Sequence, residues 1–188
     1  SGTPSAEGAI EGAVPPGSLW DYVPLQLEAV PIAILVLAFL LTAQIYPSLP
    51  AKIPTHFGPS GRPDAWAAKG FLSVFGIPLL MALFYALLTA ASCASARLTP
   101  RAVVKARSPE AVEAYRAATA RALYAIKVAL LAFLGRLHWQ AMEVALGRRE
   151  ALTIWPELAL TLAVVFGATA WAWLKTSRQG GRERERNG

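Results

Sequence analysis

The chain has a single cysteine, Cys93, and only two histidines among its 188 residues. One cysteine excludes a disulfide within the chain and any zinc cluster built on several thiolates. The sequence also contains no HExxH, no GxSxG and no Gly-Lys-Ser/Thr phosphate loop. No motif therefore predicts a reaction, and we expect no catalytic residue, no metal and no cofactor.

Charge is missing from two long apolar runs. Val30–Tyr46 and Phe71–Ser92 contain no Asp, Glu, Lys or Arg, and two further apolar windows cover about 117–146 and 154–174. Each run is about long enough to cross the hydrocarbon core of a bilayer. The windows lack the period-two alternation of barrel strands, which leaves helices as the structure that can face lipid. The sequence predicts an all-α, polytopic membrane protein with four transmembrane helices.

The remaining segments divide the chain into three parts. Residues 1–23 are rich in Gly, Pro, Ala and Ser and contain no Lys or Arg, which is typical of a flexible N-terminal tail. Residues 24–175 form the four-helix membrane domain, and residues 176–188 form a charged C-terminal tail. Within the domain, Ser108 suits an N-cap and Pro109 a first helical position. This pair predicts one helix of about 35 residues that begins in the cytoplasm and projects from the inner side of the membrane.

The net charge of +6 does not indicate nucleic acid, because most basic residues lie beside the ends of apolar runs. If the N-terminus is cytoplasmic, the inside segments hold eleven Lys and Arg and the outside loops hold five. This bias predicts that both termini are cytoplasmic and that the loop at 47–70 is extracytoplasmic. The five outside residues are Lys52, Arg62, Lys69, Arg148 and Arg149.

The loop at 47–70 reads PSLPAKIPTHFGPSGRPDAWAAKG and is predicted to be structured, because its prolines and glycines favour tight turns. We expect His56 and Asp64 to hydrogen-bond within the loop or to neighbouring backbone. A metal or proton-handling pair is the alternative, although the spacing matches no metal signature. Trp66 is expected at the membrane interface, and Lys69 where the second helix enters lipid.

The third window is unusually polar for a transmembrane helix. Arg136, Gln140 and Glu143 fall within about 60° of one another on a helix, and two other polar residues form a second stripe. One interpretation makes the set a polar site or path inside the bundle. The other makes Lys127 snorkel inward and places the residues from Arg136 onward at the outer headgroups. The full set is Lys127, Arg136, His138, Gln140 and Glu143.

Within this set, Arg136 is the residue for which we most expect a hydrogen-bond or ion-pair partner. An unpaired Arg near hydrocarbon costs about 2.5–3.5 kcal/mol on insertion scales. We expect its partner to be Asp64 or a main-chain carbonyl of the loop, with Gln140 helping one turn away. The outer end of the third helix and the loop would then form one polar site.

The loop and its flanks resemble a bacterial membrane domain shared with the SdpI toxin-immunity family. That family's pattern is roughly L-P-x-x-I-P-x-H-[FW]-x-x-x-G-x-x-D-x-[WY]-x-x-K between two apolar helices. The match covers about residues 32–80, and the pattern itself runs from Leu49 to Lys69. Its matching residues include Pro50, Pro54, His56, Phe57, Gly61, Asp64, Trp66 and Lys69.

The resemblance implies a bacterial inner-membrane protein that gives immunity to a peptide toxin and, in some systems, holds a transcriptional repressor at the membrane. The chain departs from the longer SdpI architecture, since it has four predicted spans and one copy of the loop motif. We expect a non-enzymatic immunity, sensing or accessory protein whose loop recognises a peptide toxin or a membrane protein partner. One alternative is a small transporter or permease component that uses the polar residues of the third helix. Another is a membrane enzyme that uses His56 and Asp64.

Overall fold

The computed structural model describes residues 17–97 and 108–186, with side chains described up to residue 177. The described residues form four helices, and each is long and apolar enough to cross a membrane. This result confirms the prediction of a predominantly helical, four-span membrane protein. The helices are α1 (Ala29–Ile45), α2 (Phe71–Arg97), α3 (Pro109–Ala145) and α4 (Ile154–Arg186).

The longest helix, α3, is the centre of the bundle. It packs against α1, α2 and α4, and α1 also touches α2. The most apolar 18-residue window of α4 has no residue buried inside the protein. Large side chains such as Leu160, Phe166 and Trp173 therefore point away from the bundle. In a membrane, lipid tails solvate such a surface as well as protein does.

The start of α3 follows the sequence prediction. The Ser108 hydroxyl accepts a hydrogen bond from the Ala111 amide at 3.4 Å, and Pro109 takes the first helical position, where an amide hydrogen is not needed. The helix has 37 residues. At 1.5 Å per residue it spans about 55 Å, well beyond a hydrocarbon core of about 30 Å.

Part of the predicted N-terminal tail is packed against the bundle. Residues 1–16 lie outside the described residues, but Leu19–Asp21 form a 3₁₀ turn capped by Ser18. Leu19, Tyr22 and Val23 are buried against α2 and α3. The packed part of the molecule therefore includes the last residues of the predicted tail, because three apolar side chains are buried there. At the other end, α4 extends through the predicted C-terminal tail as far as Arg186.

The hydroxyl of Tyr22 fastens this segment to α3. It donates a hydrogen bond to the Glu113 carboxylate at 2.7 Å. Burial raises the pKa of Tyr22 above its ordinary value, and the hydrogen bond to Glu113 raises it further. Tyr22 therefore stays protonated and remains a donor throughout the physiological pH range.

The loop between α1 and α2 contains a β-hairpin that the sequence did not predict. Strand β1 (Lys52–Phe57) pairs antiparallel with β2 (Pro63–Ala68). Pro54 lies opposite Trp66, one residue along from the Ile53–Ala67 pair. Lys69 donates its amide to the Ala51 carbonyl, which fixes the alternation of bonded pairs. The Pro54 nitrogen consequently faces away from β2, and its missing hydrogen removes no ladder bond.

The base of the hairpin is buried against the bundle. Ile53 is fully buried and packs with Leu49, Val74 and Met142 in one apolar cluster. This cluster joins β1 to α2 and α3. We call the hairpin end the part of the molecule formed by residues 46–70 together with the α3–α4 loop at 146–153.

Candidate functional site at the hairpin end

The turn of the hairpin docks onto the α3–α4 loop through Gly61. Its carbonyl accepts a hydrogen bond from the Leu152 amide at 2.8 Å. Gly61 has φ of 78°, and a Cβ at this position would collide with the Leu152 backbone. Only glycine combines the left-handed conformation with so close a backbone approach. The motif glycine is thus explained by docking of the turn.

Two side chains strengthen this docking. Trp155, in the first turn of α4, donates its indole N–H to the Pro59 carbonyl at 3.0 Å. Arg62 faces Glu150 with 3.4 Å between Nη2 and Oε2, but both side chains are largely exposed. The ion pair adds little to the docking, because exposed ion pairs contribute at most about 1 kcal/mol.

The base of the hairpin is held by Lys69. Its Nζ donates to the Leu49 carbonyl at 2.8 Å and lies 5.3 Å from the centroid of the Tyr46 ring. The next residue, Gly70, donates its amide to the Ser73 hydroxyl at 2.9 Å at the start of α2. Lys69 therefore links the segment that leads into β1 to the segment that leaves β2, at the membrane-proximal end of the hairpin.

His56 and Asp64 meet across the hairpin. His56 Nδ1 and Asp64 Oδ1 are hydrogen-bonded at 2.5 Å, which confirms the expectation that the two residues bond within the loop. Their side chains are 70% and 50% exposed. The pair thus fixes the shape of the hairpin while the other ring nitrogen of His56 remains open to solvent. No group of three or more potential metal ligands occurs among the described residues.

The other motif residues divide between the interior and the surface. Pro54 is buried beside Ile53, and Phe57 is half-buried. Trp66 is 53% exposed on β2, and Pro50 is exposed before β1. The hairpin accordingly buries Ile53 and Pro54 while it displays His56, Asp64 and Trp66 to solvent.

Arg136 has a different partner from the one expected. Its Nε donates to Glu157 Oε1 at 3.1 Å, so the expected pairing with Asp64 or a loop carbonyl is wrong. Glu157 lies in the first turn of α4, which packs along α3. The acidic residue on the adjacent helix is therefore nearer to Arg136 than the hairpin is.

Glu143 and Gln140 shape the α3–α4 loop. Glu143 lies 3.5 Å from Arg149, whose guanidinium also donates to the Thr153 hydroxyl at 2.8 Å. Gln140 is fully buried, and its Oε1 accepts the Thr153 amide at 2.6 Å. Its Nε2 has no hydrogen-bond partner within the described part of the chain. These bonds position the loop that receives the hairpin turn.

His138 joins α3 to α1. Its Nε2 lies 2.7 Å from the buried Thr42 hydroxyl, which also contacts the Ala38 carbonyl at 2.6 Å. A carbonyl only accepts, so the single hydroxyl hydrogen of Thr42 is committed to Ala38. His138 Nε2 must therefore carry the proton and donate to Thr42.

Lys127 does not snorkel toward the membrane surface, contrary to one interpretation of the sequence. It is 1% exposed and forms an ion pair at 2.6 Å with Glu28, which is 3% exposed. Thr89 accepts a second hydrogen bond from Lys127 at 3.1 Å, and Tyr85 donates to Glu28 at 3.1 Å. The cluster ties the start of α1 to α2 and α3.

Sequence reasoning did not identify Glu28. The available signal was an acidic residue immediately before the first charge-free run, which needs a partner if it is buried. Its 99-residue separation from Lys127 hid the pairing. The polar residues of α3 thus face α1, α2, α4 and the α3–α4 loop separately and do not form one polar site with the hairpin.

Residues 33–82 match the family model described as a domain of unknown function, DUF1648. The matched segment begins in α1, contains the whole hairpin and ends within α2. Searches of curated proteins and of solved structures found no match. The match supports the resemblance to a membrane domain of unknown function, and it covers the hairpin together with most of the two helices that flank it.

Proposed function

We propose that the chain is a non-enzymatic recognition protein of the bacterial cytoplasmic membrane and that the 47–70 loop is its recognition element. The observation that carries this proposal is the construction of the hairpin. It is fixed at its base by Lys69 and at its turn by Gly61, yet it displays His56, Asp64 and Trp66 to solvent. Rigid display of polar and aromatic groups lowers the entropy cost of binding.

The proposed biological role is immunity, sensing or an accessory function at the outer leaflet. The resemblance of the loop to the SdpI family supports immunity to a secreted peptide toxin. The distribution of Lys and Arg supports cytoplasmic termini. In this proposed topology the hairpin end lies outside, where a secreted toxin arrives. The partners in this proposal are the lipid bilayer and a peptide toxin or a membrane protein.

Transport and catalysis have less support. A transport path along α3 needs polar groups that share one open route, whereas each of these side chains is closed into its own pair. Lys127 bonds to Glu28 before α1, His138 to Thr42 within α1 and Arg136 to Glu157 on α4. Enclosure of a nucleophile or base away from bulk water strengthens the electrostatic interactions that catalysis uses. The exposed His56–Asp64 pair has no such enclosure.

A survival assay tests the immunity role. A toxin-sensitive bacterium expressing the chain is challenged with the secreted peptide toxin of the SdpI system. We expect protection by the natural sequence, loss of protection in the His56→Ala/Trp66→Ala double variant, and full protection with Arg148→Ala, which alters an exposed residue of the neighbouring loop. All variants are compared at equal membrane abundance.

Two results would count against the proposal. No protection by the natural sequence at confirmed membrane abundance removes the immunity role. Protection that survives the double variant removes the hairpin as the recognition element.

A further inference from the structure

The two edges of the hairpin differ in what they can bind. Within residues 17–97 and 108–186 the sheet contains two strands, so each strand has one edge without a strand neighbour from these residues. The β1 edge is obstructed, because Pro54 supplies no amide hydrogen there and β1 packs on α2 and α3. In β2, by contrast, Asp64, Trp66 and Ala68 are exposed.

The register shows which backbone groups point outward from β2. Lys69 bonds to Ala51, so the alternation of an antiparallel ladder makes Ile53 and Ala67 the next bonded pair. Trp66 and Ala68 lie in the intervening pairs and direct their backbone groups to the free edge. The Ala68 carbonyl lies 2.9 Å from the Ser73 hydroxyl, the shorter of the two carbonyl contacts that this hydroxyl makes. The free edge therefore presents the Trp66 N–H, the Trp66 C=O and the Ala68 N–H.

We propose that this edge of β2 binds an extended peptide segment by strand addition. Two donors and an acceptor at strand spacing are complementary to another extended backbone, which supplies carbonyls and an amide at the same repeat. A phospholipid phosphate offers acceptors only and leaves the Trp66 carbonyl unmatched. The exposed Trp66 ring adds apolar area beside the added strand. This inference rests on the proposed recognition role of the loop and names its ligand class.

Substitutions at Ala68 isolate the backbone contribution. Ala68→Pro removes one outward N–H without removing a ladder bond, and Ala67 before it is already extended. Ala68→Thr is the matched control, because it changes the side chain and keeps the N–H. Docking of the hairpin turn, measured by protease resistance of 58–62, is expected to be the same in both variants.

The binding experiment uses phage-displayed random 12-residue peptides as the probe. They are selected on the full chain in lipid nanodiscs after depletion on empty nanodiscs. We expect peptides that slow hydrogen exchange at the Trp66 amide of the natural sequence. Their Kd should rise about tenfold in Ala68→Pro, which is the loss expected for one backbone hydrogen bond with its partner left unpaired, and should hardly change in Ala68→Thr.

Several outcomes would overturn strand addition. These are a selection that yields no peptide, peptides that bind Ala68→Pro as well as Ala68→Thr, and binding that leaves Trp66 exchange unchanged. Hydrogen exchange at the Trp66 amide can also be measured without peptide. If it slows as the protein concentration rises, the edge binds a second copy of the chain instead. If toxin protection fails while peptides still bind in an Ala68-dependent manner, the toxin role is lost and strand addition stands. If protection is unaffected by Ala68→Pro, strand addition is removed and the recognition role stands.

Discussion

The Glu28–Lys127 pair provides the sharpest prediction about the fold. Lys127→Met removes the cation and leaves the buried Glu28 carboxylate with Tyr85 as its remaining donor in the cluster. Removing one member of a buried ion pair costs about 3–5 kcal/mol, because the remaining charge stays buried. Glu28→Gln leaves the buried ammonium of Lys127 in the same position. We expect each single substitution to lower the free energy of unfolding by about 3–5 kcal/mol.

The double variant separates pairing from burial. Replacing both members by uncharged residues removes the Coulomb attraction together with both desolvation penalties. We therefore expect Glu28→Gln/Lys127→Met to be less destabilised than the sum of the two singles by at least about 2 kcal/mol. Reversible unfolding in mixed micelles measures these differences. The control is the Arg62→Ala/Glu150→Ala cycle at an exposed pair, with an expected coupling of about 0–1 kcal/mol.

A specific result would refute this reasoning. If Lys127→Met costs under about 1 kcal/mol and the two substitutions add, the ammonium must reach water and does not depend on Glu28. Lys127 would then snorkel, as one interpretation of the sequence held.

Three further predictions concern the hairpin end. Gly61→Ala should loosen the turn and speed proteolysis at 58–62 far more than Gly147→Ala, because both glycines have positive φ but only Gly61 contacts another backbone segment. Equal effects of the two substitutions would mean that the role of Gly61 is limited to its left-handed conformation. Arg136→Ala should increase hydrogen exchange in the first turn of α4 rather than in the hairpin, whereas a response confined to the hairpin would contradict the observed pairing. Cysteines introduced at Ser60 and Ser177 should be labelled from opposite sides of the membrane in intact cells, and labelling from the same side would reject the proposed topology.

The spans and the start of α3 could be predicted because their causes are local. A charge-free run of sufficient length has few alternatives in lipid, and the Ser108–Pro109 pair marks a helix start in any fold. The hydrogen bond between His56 and Asp64 could also be predicted from the sequence, since both residues lie within one constrained loop. These features depend on residues that are near one another in the chain.

The hairpin and the partners of the charged residues could not be predicted from the sequence, for two physical reasons. Prolines normally argue against a strand, and only the register reveals that the Pro54 nitrogen faces away from β2. The partners of Arg136 and Lys127 lie on other helices, so their identities depend on helix packing rather than on spacing. A residue that needs a partner can be recognised from sequence, whereas the partner's identity needs the fold.

The most direct test of the central claim, that the hairpin recognises a peptide, is photocrosslinking in intact cells. A photoreactive amino acid replaces Trp66 on β2 or, as a matched control, the exposed Trp173 near the opposite end of the bundle. Cells are then irradiated in the presence of the SdpI-system toxin. We predict a toxin adduct from position 66 and none from position 173. Adducts from position 173 alone, or from neither position while the cells are protected, would contradict recognition by the hairpin.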